Sequence, residues 1–418
     1  MKTVLDLHIH SKYSRACSPQ LTLPNIDRVC REKGIHIMAT GDFTYPAWMK
    51  SIEEELEEIG TSGLYKLKSA PDAKAKFILS TELSLIYKDN GKARRVHIMV
   101  TAPNLAAAKE LNKQLDKDYN IRSDGRPILG MSCPDLVKMC LAIHPKFLIY
   151  PAHIWTPWFS IFGSKSGFNT FEECFHDQVK HIYAYETGLS SDPAMNWRLS
   201  QLDKLTLLSS SDAHSLPNLA REANVFDLSE TPSYDEIYEI IKTNDKKRVL
   251  HTIEFWPEEG MYHIDGHRAC NFSCSPEESK KLKNICPVCG KELVIGVLNR
   301  VTELADRPEG FKPKDATPYK QAVELDKIIC EAFGIKSRNS KEVLAMHSKL
   351  IKELGPELEI LLDMPLEKIK NHAPSEVVEG IRRMREGELF VVPGFDGQYG
   401  VVQIFSPEEK KNRQKTLF

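Results

Sequence analysis

The sequence has almost no surplus of charge: 56 lysines and arginines stand against 58 aspartates and glutamates, a formal net charge of -2. So balanced a chain exerts no global pull on nucleic acid, and contact with a polyanion has to use local basic patches. Long apolar runs are missing too. No stretch approaches the length of a membrane span, and Met1 leads into Leu5, Asp6, Leu7 and His8 without the basic segment and apolar core of a leader. These absences predict a cytoplasmic protein. No internal repeat or low-complexity tract interrupts the chain. Cysteine is not scarce, at ten residues, but Cys17, Cys30, Cys133, Cys140, Cys174 and Cys330 are scattered while the other four crowd between 270 and 289. That usage suits a reducing compartment with one metal cluster, and disulfides are not expected.

At 418 residues the chain exceeds what one hydrophobic core usually supports, so two or three domains are expected. Up to about residue 225, seven short β runs alternate with helical patterns: 3–7, 35–39, 77–79, 96–100, 147–150, 182–185 and 205–208. The alternation predicts an α/β fold, barrel-like or doubly wound. Polar residues suited to chemistry stand at or just after the ends of these runs: His8, His10, Asp42, Glu82, His153, Glu186, Asp212 and His214, with His97 inside the fourth. Strand ends on one rim let sequence-distant residues share a cleft.

His8 and His10 are two apart on a strand, so both imidazoles face the same way and can grip one ion. Asp212 and His214 add a carboxylate and an imidazole after another strand, Glu82 can bridge ions, and His97 and His153 add nitrogen donors. Asp42 and Arg15 are further candidates, with helix capping and a carboxylate pair as their plainer alternatives. Two or three divalent ions held this way would polarise a phosphoryl oxygen and bring the pKa of a bound water to about 7. Phosphoester hydrolysis is the chemistry the set suits.

The character changes between Met261 and Leu298. Cys270 and Cys274, then Cys286 and Cys289, supply two close thiol pairs, which predicts a closed structural zinc site; His263 and His267 are alternative donors. Arg268, Lys280, Lys281 and Lys283 can track phosphates, although a solvated lysine face explains them equally well. Helical patterning follows at 320–333, 340–354 and 374–386. A hairpin is predicted over 387–405, turning at Asp396 and Gly397. The expected division is a catalytic barrel at 1–250, a zinc-binding module at 251–305, a helical C-terminal domain at 306–406 and a loose tail at 407–418.

The set Asp6, His8, His10, Ser11, Thr40, Gly41, Asp42, Thr81, Glu82, His97, Pro151, His153, Ser211, Asp212 and His214 closely resembles the PHP phosphoesterases. That resemblance implies a distorted seven-stranded β/α barrel binding up to three ions. The chain departs from it at Phe43, where many members carry a histidine, and this bears on a third ion. Over nearly its whole length the chain also resembles the endonuclease Q family of repair nucleases, through His10, Ser14 and Arg15, Thr40 to Pro46, Glu186 and Gly188, Asn196 to Arg198, Cys286 to Gly290 and Pro393 to Gly400. This resemblance implies cleavage 5′ to uracil, hypoxanthine, xanthine or an abasic site, leaving 3′-hydroxyl and 5′-phosphate ends. His8, His10, Asp212 and His214 would then be the central metal ligands, with Asp212, His214 and Arg15 in the catalytic step.

A zinc module and added helices suggest a large substrate, and nucleic acid is the obvious one. Trp155, Trp158 and Phe159 directly follow His153, where they can stack on an extruded base, with a packed aromatic lid as the alternative. Gln414, Leu417 and Phe418 resemble the short sliding-clamp-binding peptide of bacterial replication proteins. Two rival functions remain open: a phosphatase for a small phosphorylated metabolite, and a catalytically silent DNA-binding scaffold.

Overall fold

The computed structural model describes residues 1–70 and 75–410. The clamp-binding candidates Gln414, Leu417 and Phe418 lie outside the described residues; every other residue singled out above falls within them.

The apolar runs become strands. In chain order these are β1 (Lys2–Asp6), β2 (Ile37–Ala39), β3 (Leu56–Glu58), β4 (Tyr65–Leu67), β5 (Lys76–Ile78), β6 (Ser80–Asp89) and β7 (Lys92–Thr101). They continue with β8 (Ile128–Leu129), β9 (Leu148–Pro151), β10 (Ala184–Glu186), β11 (Thr206–Leu208), β12 (Ala223–Asp227) and β13 (Val249–Glu254). Of these, β2, β9, β10 and β11 are buried along their whole length. The fold is mixed α/β. An eight-stranded sheet runs through β13, β12, β1, β2, β5, β4 and β3, with β16 (Tyr319–Gln321) on its far edge; β8, β6, β7 and β9 form a second sheet, and β10 pairs with β11.

No continuous ladder closes these strands into a seven-stranded ring among the described residues. The seams carry isolated bonds instead: Asp212 N donates to His8 O at 2.9 Å and His10 N to Ala213 O at 3.2 Å across one, and Ile154 N to Glu186 O at 3.1 Å across another. The reason is local. Asp42, His153 and Asp212, which follow β2, β9 and β11, hold φ of 48°, 28° and 46°. A left-handed residue cannot extend a pleated strand, so pairing stops where the chemistry begins.

Beyond β13, β14 (Asp265–His267) and β15 (Phe272–Cys274) make a small antiparallel pair. The C-terminal region packs helices Leu325–Phe333, Lys341–Leu354 and Ser375–Glu386, followed by the hairpin of β17 (Phe390–Val392) and β18 (Val401–Gln403). Its tip is a two-residue turn: Phe395 and Gln398 exchange backbone bonds around Asp396 and Gly397, both at positive φ, as the primed hairpin turns demand. One buried cation ties this region to the catalytic one. Lys33 Nζ donates to Pro217 O at 2.7 Å and Leu219 O at 2.9 Å, just after His214, and lies 3.8 Å from Glu357.

Candidate metal centre

His8 and His10 sit just past β1, fully buried, and each ring is fixed from behind. His8 Nδ1 donates to Glu186 at 3.0 Å and His10 Nδ1 to Asp42 Oδ1 at 3.0 Å. Those bonds leave a lone pair on each Nε2, the arrangement that prepares an imidazole for a metal. Both Nε2 atoms and Asp212 Oδ1 are buried without a hydrogen-bond partner. They converge: Asp212 Oδ1 is 3.1 Å from His10 Nε2 and 3.7 Å from His8 Nε2, and Glu82 Oε2 is 3.2 and 3.7 Å from the same nitrogens. Buried polar atoms left unpaired cost about 1–3 kcal/mol each, so these three pooled around one point with Glu82 Oε2 fit a divalent cation.

A second group adjoins the first through the other oxygen of Glu82. Glu82 Oε1 is 2.6 Å from His97 Nδ1 and 3.0 Å from His153 Nε2, and those nitrogens are 3.2 Å apart. The ligand atoms of His8, His10, Glu82 and Asp212 lie within 4.8 Å of one another, as do those of Glu82, His97 and His153. These donors suit divalent metal ions, with Glu82 between the two groups. Burial pushes the Glu82 carboxyl up, but His97, Arg126 and His8 outweigh it and hold the carboxylate well below its usual range. His8 and His10 similarly keep Asp212 ionised against burial.

Several expected residues take different places. Asp42 is behind His10, outside both groups: one oxygen takes the His10 proton, and the other accepts from Ser11 N at 2.6 Å, Ser11 Oγ at 2.7 Å and Ser14 Oγ at 2.8 Å. With both oxygens so committed its carboxylate holds the His10 ring in place and caps no helix. His214 stands beside the groups, its ring 4.7 Å from that of His10, and its Nδ1 donates to Asp212 O at 2.9 Å. Arg15 is exposed, with only its backbone N tied inward, to Asp124 Oδ1 at 3.3 Å. The arginine in the cleft is Arg126, whose Nη1 is 2.9 Å from Glu82 Oε2. Sequence reading passed over it because it stands on a loop outside any strand-end motif.

The aromatics divide as well. Trp155 is buried and its indole N–H donates to Asn196 Oδ1 at 2.8 Å, which makes it part of the core. Trp158 is half-buried, 5.6 Å ring to ring from Tyr262, and Phe159 leans on His97 at 4.7 Å. Arg268 and Lys283 are exposed on the small module.

In that module the donor group is His267, Cys270, Cys286 and Cys289, all within 4.8 Å, with His267 Nδ1 3.5 Å from Cys289 Sγ. Cys274, expected as the fourth thiolate, is instead buried beside Leu293 in the module's small core. The cause is register: β14 pairs with β15 so that Asp265 faces Cys274 and His267 faces Phe272, which brings His267 round towards Cys270. Three thiols and one imidazole still make a tetrahedral zinc set.

Comparison with known proteins follows the same lines. A model of the MJ0043 C-terminal domain matches residues 324–388. The uncharacterized protein MJ0043 of Methanocaldococcus jannaschii is 31% identical over 257 residues, 61% of this chain but 32% of that protein. The chain thus spans about a third of that relative. The uncharacterized protein YqxK of Bacillus subtilis is 27% identical over 417 residues, 96% of this chain and 99% of its own. Among solved structures, the lesion-specific endonuclease PfuEndoQ of Pyrococcus furiosus superposes with a TM-score of 0.85 at 31% identity, over 98% of this chain and 97% of that one. An endonuclease Q bound to a 27-mer duplex with an abasic lesion at its active site gives the same score and identity, over 98% of each chain.

Fold and donor set together define a metal-dependent hydrolase. With the full-length likeness to PfuEndoQ beside them, the particular lineage follows: the chain belongs to the endonuclease Q family.

Proposed function

We propose that this protein is a DNA repair endonuclease that cleaves the phosphodiester 5′ to a damaged nucleotide: an abasic site or a deaminated base such as uracil, hypoxanthine or xanthine. The observation that carries the reading is the whole-length likeness to a chain bound to a duplex with an abasic lesion at its active site. The strand-end donors supply the chemistry. His8, His10, Glu82 and Asp212 would hold one ion and Glu82, His97 and His153 another, with His214 at hand for a third. Bound there, divalent ions polarise the phosphate, lower the pKa of water and stabilise the departing oxygen.

The chain's own residues do the rest. Glu186 and Asp42 hold the imidazoles of His8 and His10 in the ligating tautomer. Asp212, kept ionised, would complete the donor set beside the attacking water, whose oxygen bonds to phosphorus as the P–O3′ bond breaks, one proton leaving the water and one reaching O3′. The products are a 3′-hydroxyl and a 5′-phosphate. Extruding a nucleotide costs roughly a few kcal/mol, least where the base is mispaired or missing, which favours damaged sites before any pocket contact. Trp158, rather than Trp155, is the aromatic available for stacking, and Arg268 and Lys283 lie on a surface open to phosphates.

We read β1, β2, β5, β7, β9, β10 and β11 as the seven strands of the distorted barrel, its seams joined by isolated bonds. The division at 250, 305 and 406, a cytoplasmic location and clamp binding through the tail belong to the same proposal. Among the described residues no helix is long and apolar enough to cross a membrane, and all ten cysteines are free.

The test is incision of a duplex carrying one abasic site, then one uracil or hypoxanthine, with divalent metal and an undamaged duplex as control. A single nick 5′ to the lesion is expected. Intact DNA with rapid phosphate release from small monoesters would replace this reading with the phosphatase, and tight binding without incision would replace it with the silent scaffold.

A further inference from the structure

Arg126 is held against the candidate centre by backbone hydrogen bonds of its loop. Gly125 N donates to Tyr13 O at 3.1 Å, Arg126 N to Asp124 Oδ1 at 2.9 Å, and Pro127 O accepts from Ser84 N at 3.1 Å. Gly125 is pressed so closely on the centre that a Cβ there would stand 2.3 Å from Ser14 Oγ and 2.4 Å from Asp42 Oδ2. Only glycine lets the loop approach this far, and the approach delivers the next side chain to Glu82.

The guanidinium spends one donor on Glu82, through Nη1. A guanidinium has five donors in a flat fork shaped to match phosphate oxygens. The side chain is 26% exposed, whereas Glu82 beneath it is fully buried. It therefore spans from the donor cluster to the open cleft, where a phosphodiester must lie to reach the ions. Arg15, the arginine in the sequence motif, is exposed.

We infer that Arg126 is the residue that grips a non-bridging oxygen of the scissile phosphate and stabilises the negative charge gathering there as phosphorus passes through five-coordination. Its anchoring by Asp124, Gly125 and Pro127 preorganises it, so little reorganisation is needed at the moment of reaction. Glu82 fixes the fork's angle through one N–H and leaves the others for substrate. The inference rests on the phosphodiesterase reading above and adds to it the group that meets the phosphate.

The test compares wild type, Arg126→Ala and Arg126→Lys on two diesters, the abasic duplex and bis(p-nitrophenyl) phosphate, with bound metal counted by elemental analysis and duplex affinity measured across salt. Loss of one preorganised donor predicts about a hundredfold lower kcat for Arg126→Ala on both diesters. Metal stoichiometry should be unchanged, and the salt slope of binding reduced by about one phosphate contact. Arg126→Lys should recover part of kcat. Wild-type rates in Arg126→Ala would overturn the inference, as would loss of metal from that variant, which would make the arginine a support for Glu82. A wild type that hydrolyses only the small diester, with the arginine effect intact, would remove the DNA reading and keep this one; failure on both diesters with metals bound would remove both.

Discussion

The two donor clusters are built on opposite plans. The one at the strand ends is a product of the fold: His8, His10 and Glu82 are fully buried, the two imidazoles are fixed from behind by Glu186 and Asp42, and His153 and Asp212 sit on left-handed turns. The one in the small module has hardly any fold to rest on, since its core is Cys274, Cys286 and Leu293 with a few partly buried neighbours. In the first, the fold keeps polar atoms unpaired; in the second, a metal would stand in for missing apolar burial. On the proposed reading, the same kind of side chain serves reactivity at one end of the molecule and folding at the other.

Replacing Asp212 with Asn should separate the two plans most sharply. Incision of the abasic duplex should fall by about a thousandfold or more, because the carboxylate that closes the orphaned set is gone, while the melting temperature stays within a few degrees of wild type. Undiminished incision would take that aspartate out of the mechanism. Cys286→Ser should do the reverse: zinc content drops by one, amide exchange across Met261–Leu298 accelerates to that of an unfolded segment, and metal at the strand ends persists. His267→Ala should share that phenotype more than Cys274→Ala does, and equal zinc loss in both would return Cys274 to the ligand set.

Smaller effects test the support behind the catalytic donors. Asp42→Ala removes only the partner of His10 Nδ1 and the Ser11 and Ser14 bonds, so metal affinity by calorimetry should weaken by about ten- to a hundredfold without loss of the fold. An unchanged affinity would mean His10 is oriented by packing alone. The least effect is in stability. Burial raises the Glu254 carboxyl from its ordinary value of 4.5 to about 8, and Glu222 nearby is also raised by burial and by Glu254. The folded protein then keeps a proton that the unfolded chain releases above pH 4.5, so this group's contribution is present below pH 4.5 and is lost as pH rises towards 8. Glu254→Gln should raise the melting temperature by roughly a few degrees at pH 8 and change it little at pH 5. The same increment at both values would rule out the proton.

The donor residues at the strand ends were legible because a strand followed by a polar residue is a local pattern. His8 and His10 share a face by the two-residue period alone, and Asp212 with His214 follows an apolar run. What each donor touches was not legible. Asp42 and Asp212 stand alike after their strands, yet one faces the serines of the first loop and the other faces the imidazoles. Arg126 carried no pattern at all, since its position depends on Gly125 packing against Asp42 across more than eighty residues of chain. The thiols announced a zinc module by spacing, but strand register exchanged Cys274 for His267.

By itself, then, the sequence determined the seven apolar runs, the polar residues that end them, the paired thiols and the helical C-terminal patterning, all of which are written in short-range periodicity. Only the tertiary structure decided which of those polar atoms are left without partners. That outcome depends on where distant segments bring their own donors and acceptors, and at a metal centre it is the unpaired buried atoms that matter.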